Sequence, residues 1–486
     1  MSAALWLIGL PLVGTPLIYL WGRVGRRLVG ASSGARAMSV GVLGLLWLIF
    51  FLTTQETAPA STSGAFAPLV DSVSVLMSMV VLLVGTAALL CSLWFMRDEP
   101  GEEYFFACLM SMMGAMIGLS MASDLFVLWI WFELLGISSY FLVAFYRGNA
   151  LAAGMRYLVQ SAVGSLLILL GIALIFAQTG TLAFDLLSSG ITDVPMVLSA
   201  GVLLLVGFGV KVAIVPLHTW LADAHSQAPA GVSAVLSGVV LAAALAALLR
   251  ALAPLLSSSD AWPVVLMTLG VVNMVVGNLL ALRQVEIKRM LAYSSISHMG
   301  YMLLGFGISF SAGTADGAQG AFFHLLNHGL MKALAFLAVG AMAYVVGAHS
   351  LRIDEMSGAI RRFPLVSLSL IVALLGLGGV PLLAGFMSKW QIFVAGFVSQ
   401  NTWIALLVLF AAVNSVFSLA YYAPVINVLV RHQVSPALAQ THSLPLPLVL
   451  ILLLLAMGIV LLGIAPDLVA ELTQPAAGAL MRMLGI

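Results

Sequence analysis

The chain has 486 residues, of which 62% are hydrophobic and only 8% charged, with a mean hydropathy of +1.15. A water-soluble protein cannot bury that much apolar side chain, so the composition requires a lipid bilayer as solvent. A net charge of +1 gives no reason to expect nucleic acid or an acidic partner.

A span needs about 20 apolar residues to cross the hydrocarbon. On that rule the chain offers candidates near 3–22, 38–54, 72–96, 104–121, 124–146, 155–178, 196–215 and 231–253. They continue near 261–282, 291–310, 320–346, 363–398, 402–428 and 446–465. The first run has no basic residue ahead of it and reads as a retained helix, not a cleaved signal. Cys91 and Cys108 both fall in apolar helical stretches and read as packing residues. No linker is long enough for a soluble domain, so any redox cofactor belongs to a partner chain.

Basic residues set the orientation. Fourteen of the 19 Lys and Arg follow odd-numbered spans: Arg23, Arg26, Arg27, Arg36, Arg97, Arg147, Arg156, Arg283, Lys288, Arg289, Arg352, Arg361, Arg362 and Arg431. Even-numbered loops hold only Arg250, and Arg482 is near the C-terminus. The positive-inside rule then predicts a multi-pass protein of the cytoplasmic (inner) membrane with both termini on the outer side.

The three remaining cations, Lys211, Lys332 and Lys389, lie inside apolar stretches. Two spans look interrupted. In GFGVKVAIVPLHTWLADAH, Pro216 removes a backbone donor shortly after Lys211; in LLGLGGVPLLAGFMSKW, Gly378, Gly379 and Pro381 precede Lys389. Interrupted helices in both halves suggest repeats related by an in-plane axis, with the working site at the breaks. The expected fold is an all-α polytopic membrane protein of about fourteen transmembrane helices, with two inverted five-helix repeats and broken helices seven and twelve. The expected division is 1–103 for helices one to three, 104–255 and 256–430 for the repeats, and 431–486 for the last helix.

Glu133 falls about mid-span in LFVLWIWFELLGISSYFLV. A charge there costs about 2.5–3.5 kcal/mol on the insertion scale. Its bland reading is a protonated packing residue; its functional one is a carboxyl that exchanges protons with a nearby cation. Lys211 is the obvious cation. At an effective dielectric of 20 a unit pair 4 Å apart interacts by about 4 kcal/mol, so changing their separation loads or empties a proton site. In FFHLLNHGLMKALAFLAVG, His324, His328 and Lys332 recur every fourth residue and share one helix face. A zinc pair would need further ligands, which this stretch lacks; the remaining readings are satisfied core histidines or a hydrated path. His298, in AYSSISHMG, extends the stripe, with Tyr293, Ser294 and Ser295 as hydrogen-bond stations, and Lys389 ends it. Asp71, Asp124 and Asp223 read as boundary residues, and Asp124 suits a helix N-terminus.

The segments quoted above, with GVKVAIVPLHTWLADAHSQAPAGVSAVLSG, IKRMLAYSSISHMGY and GVPLLAGFMSKW, resemble the antiporter-like membrane subunits of respiratory complex I. That family also includes the large subunits of Mrp-type sodium/proton antiporters and of membrane-bound hydrogenases. The likeness runs in order from about residue 70 to 400. It implies a central charged row: Glu133 on the fifth helix, Lys211 on the broken seventh, His328 and Lys332 on the eleventh, Lys389 on the broken twelfth. One departure stands out, because the family usually carries a lysine or histidine on the eighth helix where this chain has Ala242. No ionisable residue occurs between His225 and Arg250.

The expected function is proton translocation within a complex I-type NADH-quinone oxidoreductase or related hydrogenase complex. This chain itself holds no cofactor or metal, and iron–sulfur clusters or flavin belong to partner subunits. Expected partners are other membrane subunits and a hydrophilic redox arm. The alternatives are an Mrp-type exchanger, with sodium as coupled ion, a relative coupled to inorganic carbon uptake, and a non-transporting spacer. A self-contained enzyme is disfavoured, since there is no nucleotide loop or extramembrane domain.

Overall fold

A computed structural model describes residues 3–29, 33–55, 67–97, 99–187, 193–439 and 442–483. Among these the chain is helical with no strand, and extended pairing is limited to the bridges Asp124–Ala183 and Glu286–Arg352. In lipid a backbone must satisfy its own polar groups, which helices do within each segment.

The helices run α1 (Ala3–Val29), α2 (Ser33–Gln55), α3 (Ser72–Phe95), α4 (Glu102–Ser120), α5 (Leu125–Val143), α6 (Asn149–Thr179) and α7 (Val194–Val212). After the first interruption come α8 (Leu221–Gln227), α9 (Ala230–Leu256), α10 (Ala261–Leu282), α11 (Ile287–Ala312) and α12 (Asp316–Val346). The chain ends with α13 (Pro364–Gly378), α14 (Ala384–Val398), α15 (Thr402–Val430), α16 (Leu446–Ile464) and α17 (Ala470–Met483). Among the described residues twelve helices are long and apolar enough to cross a membrane. Two stretches expected as spans fall outside that count. The first, 291–310, forms α11, whose first turn carries Lys288 and Arg289; the second, 363–398, is divided into the shorter α13 and α14.

Both interruptions are real. α7 stops at Val212, where Ala213 takes φ +60, a left-handed conformation costly for a residue with a Cβ. The break therefore falls directly after Lys211 and ahead of Pro216. Asn273 of α10 holds the freed segment by accepting from the Val215 amide at 2.8 Å. α13 ends on Gly379 at φ +79. There a Cβ would stand 3.0 Å from Ser415 Oγ and 3.3 Å from Lys389 Nζ, so the position calls for glycine twice over.

The chain forms two compact units. One comprises Met1–Val212 with Ala243–Ser259, the other Ala213–Ala242 with Asp260–Ile486. In the first, Asp124 caps α5, accepting from the Phe126 and Val127 amides at 2.8 Å each. Asp71 caps α3 in a reciprocal box with Ser74. It has a second task that its boundary position did not foretell: its Oδ1 receives Arg250 Nη2 at 2.5 Å. Arg250 is consequently not a loop residue but a buried guanidinium in the last turn of its helix. Glu102 and Glu103 are buried too, and pair with Arg36 at 3.0 Å and Arg26 at 2.9 Å. Cys91 and Cys108 are free thiols.

Candidate functional site: the buried lysines and the histidine cluster

In the first unit the site is built on α5, α6 and α7. Lys211 is fully buried in the last turn of α7, where a cation meets the negative end of the helix dipole. Its Nζ donates to the Phe132 carbonyl at 3.4 Å and lies 4.2 Å from the Phe132 ring centre and 5.8 Å from that of Tyr157. This approach depends on Gly136. A Cβ there would come within 3.2 Å of Nζ, tighter than ordinary contact. Glu133 stands three residues before Gly136 on α5, hence one turn along a neighbouring face. It is only partly buried, and no ion pair joins it to Lys211 among the described residues. Glu133 therefore lies one helical turn from the glycine that Lys211 abuts, with no ion pair between the two side chains.

The second unit holds the rest of the predicted row. His324, His328 and Lys332 are all fully buried on α12. Lys332 Nζ donates to the Leu291 carbonyl at 2.7 Å and to Ser294 Oγ. His298 Nδ1 lies 3.0 Å from His324 Nε2, and His324 Nδ1 lies 2.9 Å from Ser388 Oγ on α14. The His328 ring centre is 5.3 Å from that of His298, and neither His328 nitrogen has a hydrogen-bond partner. Next in the chain after Ser388 is Lys389, whose Nζ donates to the Leu377 carbonyl at 3.0 Å and to Ser415 Oγ at 2.8 Å. The interrupted helix makes this possible. Leu377 is in the last turn of α13, whose carbonyls have no intrahelical donor, and the ammonium supplies one.

Tyr301 joins the histidines to Lys389. Its ring centre is 6.1 Å from His298, 5.9 Å from His324 and 4.8 Å from Lys389 Nζ. Its hydroxyl donates to the Ala411 carbonyl at 3.3 Å and accepts from Asn414 at 3.2 Å. Asn278 donates to the Asn414 carbonyl at 3.1 Å and accepts from the Tyr421 hydroxyl at 2.8 Å. Burying charges is tolerable only when such partners replace water, and here they do.

Sequence reasoning placed the titratable members and missed their partners. Ser388, Ser415, Tyr301, Asn278, Asn414 and Tyr421 come from four helices and share no motif. Of the three stations expected near His298, Ser294 binds Lys332 and Ser295 pairs with Ser237 at 2.7 Å. Tyr293 is instead half-buried, with no hydrogen bond of its side chain to the row. Asp223 is not in a loop but on α8, paired with Arg289 at 2.6 Å. Lys288, read as a loop cation, is buried and donates to the Ala228 and His349 carbonyls at 3.0 and 2.5 Å. A lysine beside an arginine at a helix start gave no signal of this.

Ala242 is fully buried on α9. Just before it, Leu236–Val240 forms a π-helical turn, an insertion that often marks functional segments. Among the described residues no group of three or more His, Cys, Asp or Glu is arranged to hold a metal ion.

Comparison with known proteins follows the same pattern. Residues 122–415 match the family described as NADH:quinone oxidoreductase/Mrp antiporter, and residues 59–106 match the N-terminal region of chain 5 of complex I NADH-ubiquinone oxidoreductase. The F(420)H(2) dehydrogenase subunit N of Methanosarcina mazei is 31% identical over 430 residues, covering 85% of this chain and 85% of its own length. The NADH-quinone oxidoreductase subunit N of Parvibaculum lavamentivorans is 31% identical, covering 81% and 82%. Among solved structures, a chain of the archaeal membrane-bound sulfane sulfur reductase has a TM-score of 0.87 at 28% identity over 99% of this chain and 98% of its own. A chain of Thermus thermophilus respiratory complex I has a TM-score of 0.79 at 29% identity, covering 96% and 98%. A chain of the Dietzia Mrp complex shares the fold, with a TM-score of 0.83 at 21% identity over the whole of both chains.

Proposed function

This chain belongs to the family of NADH:quinone oxidoreductase and Mrp antiporter membrane subunits, and from that premise we propose that it moves protons along its buried lysine and histidine row. It is an antiporter-like subunit of the complex I type, related to the membrane subunits of other multisubunit respiratory complexes. The observation that carries the proposal is the linked set in the second unit. His298 with His324 and Ser388, and Lys389 with Ser415, are linked by direct hydrogen bonds and the Tyr301 ring, and Lys332 with Ser294 stands one helical turn beyond His328. A row of groups that each bind and release a proton, kept away from bulk water, is what stepwise proton transfer needs.

On this reading Lys211 and Glu133 form the proton site of the first unit, and the whole chain crosses the inner membrane fourteen times in two inverted five-helix repeats, both termini outside. Electron transfer, with flavin or iron–sulfur clusters, takes place in partner subunits that include a hydrophilic arm. The test is proton translocation by the complex reconstituted in liposomes. With Lys211→Ala or Glu133→Gln the rate falls; undiminished pumping with either variant removes that residue from the path, and with both removes the first unit from it.

The likeness to the Mrp chain supports a second reading, exchange of sodium for protons without redox chemistry. Sodium-dependent acidification of liposomes in the absence of any electron donor favours that reading; strict dependence on a donor favours the first. A spacer that only holds a complex together is opposed by the retained charges, each costly to bury.

A further inference from the structure

A further buried titratable side chain stands outside the row described above. His225, on α8, is fully buried, and neither of its ring nitrogens has a hydrogen-bond partner. Its ring lies flat on Phe336, with centroids 5.0 Å apart and planes inclined by 16°. Phe336 follows Lys332 by four residues on α12, so the two share one helix face a turn apart. The backbone around His225 is fixed from two sides: Ser233 Oγ donates to its carbonyl at 3.1 Å, and Lys288 holds the Ala228 carbonyl. Two residues before His225, Asp223 pairs with Arg289, and both side chains reach the surface, at 25% and 29% exposure. The short α8 thus has one exposed charged end and one buried imidazole.

Packing does not account for this residue. A phenylalanine would stack on Phe336 equally well, whereas buried imidazole nitrogens without partners are unfavourable and uncommon. An imidazole differs from an apolar ring in having two nitrogens, one able to take a proton while the other gives one up.

We infer that His225 is a proton carrier between the exposed Asp223–Arg289 end of α8 and Lys332. A proton taken from water at one ring nitrogen makes the imidazolium. Loss of the proton on the other nitrogen to the neutral Lys332 amine, through a bridging water, gives the ammonium and a neutral ring. Exchange of tautomers then resets the histidine. The charge on Lys332 makes each loading conditional on the previous proton having left it. In this role His225 supplies an ionisable group in a stretch that has none from there to Arg250.

The inference rests on the proton-translocation reading, and the test separates the two. The intact complex carrying His225→Gln, His225→Glu, His225→Phe or Lys332→Ala is reconstituted, and translocation is measured per assembled complex, with assembly read from co-purified partner subunits. Expected are a loss of about tenfold or more with Gln and Phe, and substantial retention with Glu, which still carries a proton. His225→Phe keeps the stack on Phe336, so parental transport by an assembled Phe variant overturns the inference. Equal impairment by Gln and Glu also overturns it, since the residue then acts through packing. In both cases loss of transport in Lys332→Ala leaves the broader reading standing. Parental transport in Lys332→Ala sinks that reading, and the inference with it.

Discussion

Lys211 and Lys389 occupy comparable places, each beside a helix that stops short, yet their surroundings differ. Lys389 makes two hydrogen bonds, at 3.0 and 2.8 Å, to a freed carbonyl and a serine hydroxyl. Lys211 makes one long hydrogen bond of 3.4 Å and otherwise faces aromatic rings. The difference lies in where free acceptors are. The end of α13 presents its carbonyls to Lys389, whereas Lys211 reaches an interior turn of α5, where Phe132 is in regular helix. A cation held by several dipoles is anchored; one held by ring faces and a single long bond is the easier to neutralise or displace. Lys389 is therefore the more firmly anchored of the two and Lys211 the freer to move.

That contrast can be broken or sharpened by substitution, with translocation measured in the reconstituted complex. The largest effect is expected from removing the ionisable groups: Lys332→Ala and Lys211→Ala should each lower translocation by about 10²-fold. Full activity in Lys211→Ala alone would confine the working row to the second unit. Next comes crowding. Gly136→Ala places a methyl group 3.2 Å from Lys211 Nζ, and a displaced reacting group loses about tenfold or more. Normal transport in that variant would show that the lysine adapts without cost. At the other break, Gly379→Ala meets a left-handed backbone and should cost about 1–2 kcal/mol of stability, seen as a lower melting temperature of the complex.

Loss of a single partner in the linked site should matter less. Ser415→Ala leaves Lys389 its bond to the Leu377 carbonyl, and about 1 kcal/mol, or roughly a fivefold slowing, is expected. A loss as large as that of Lys332→Ala would mean that the serine carries the proton itself. The smallest effect is expected from Tyr421→Phe, which removes the bond to Asn278. It should shift stability by about 1 kcal/mol or less and leave transport intact.

Much of this molecule was legible without coordinates. The membrane class followed from composition, and both helix breaks from Pro and Gly near a buried lysine. The stripe His324, His328, Lys332 followed from a four-residue spacing, and the family resemblance was carried by contiguous motifs. Those features are local, so a linear reading reaches them. Arg250 and Lys288 were misplaced for the opposite reason. Each sits where a loop cation would sit, and only the Asp71 carboxylate in one case and two backbone carbonyls in the other take it inside.

What the sequence by itself determined is therefore the solvent, the interruptions and the identity of the ionisable groups. Tertiary structure alone decided which hydroxyls and amides serve them: Ser294, Ser388 and Ser415 against the cations and His324, Tyr301 between histidine and lysine, Phe336 under His225. The physical reason is the bilayer itself. In water a helix shows its buried face by an apolar stripe, but these helices are apolar all round. Periodicity then says little about which face meets which neighbour, and the polar contacts that make the row are fixed only when the helices pack.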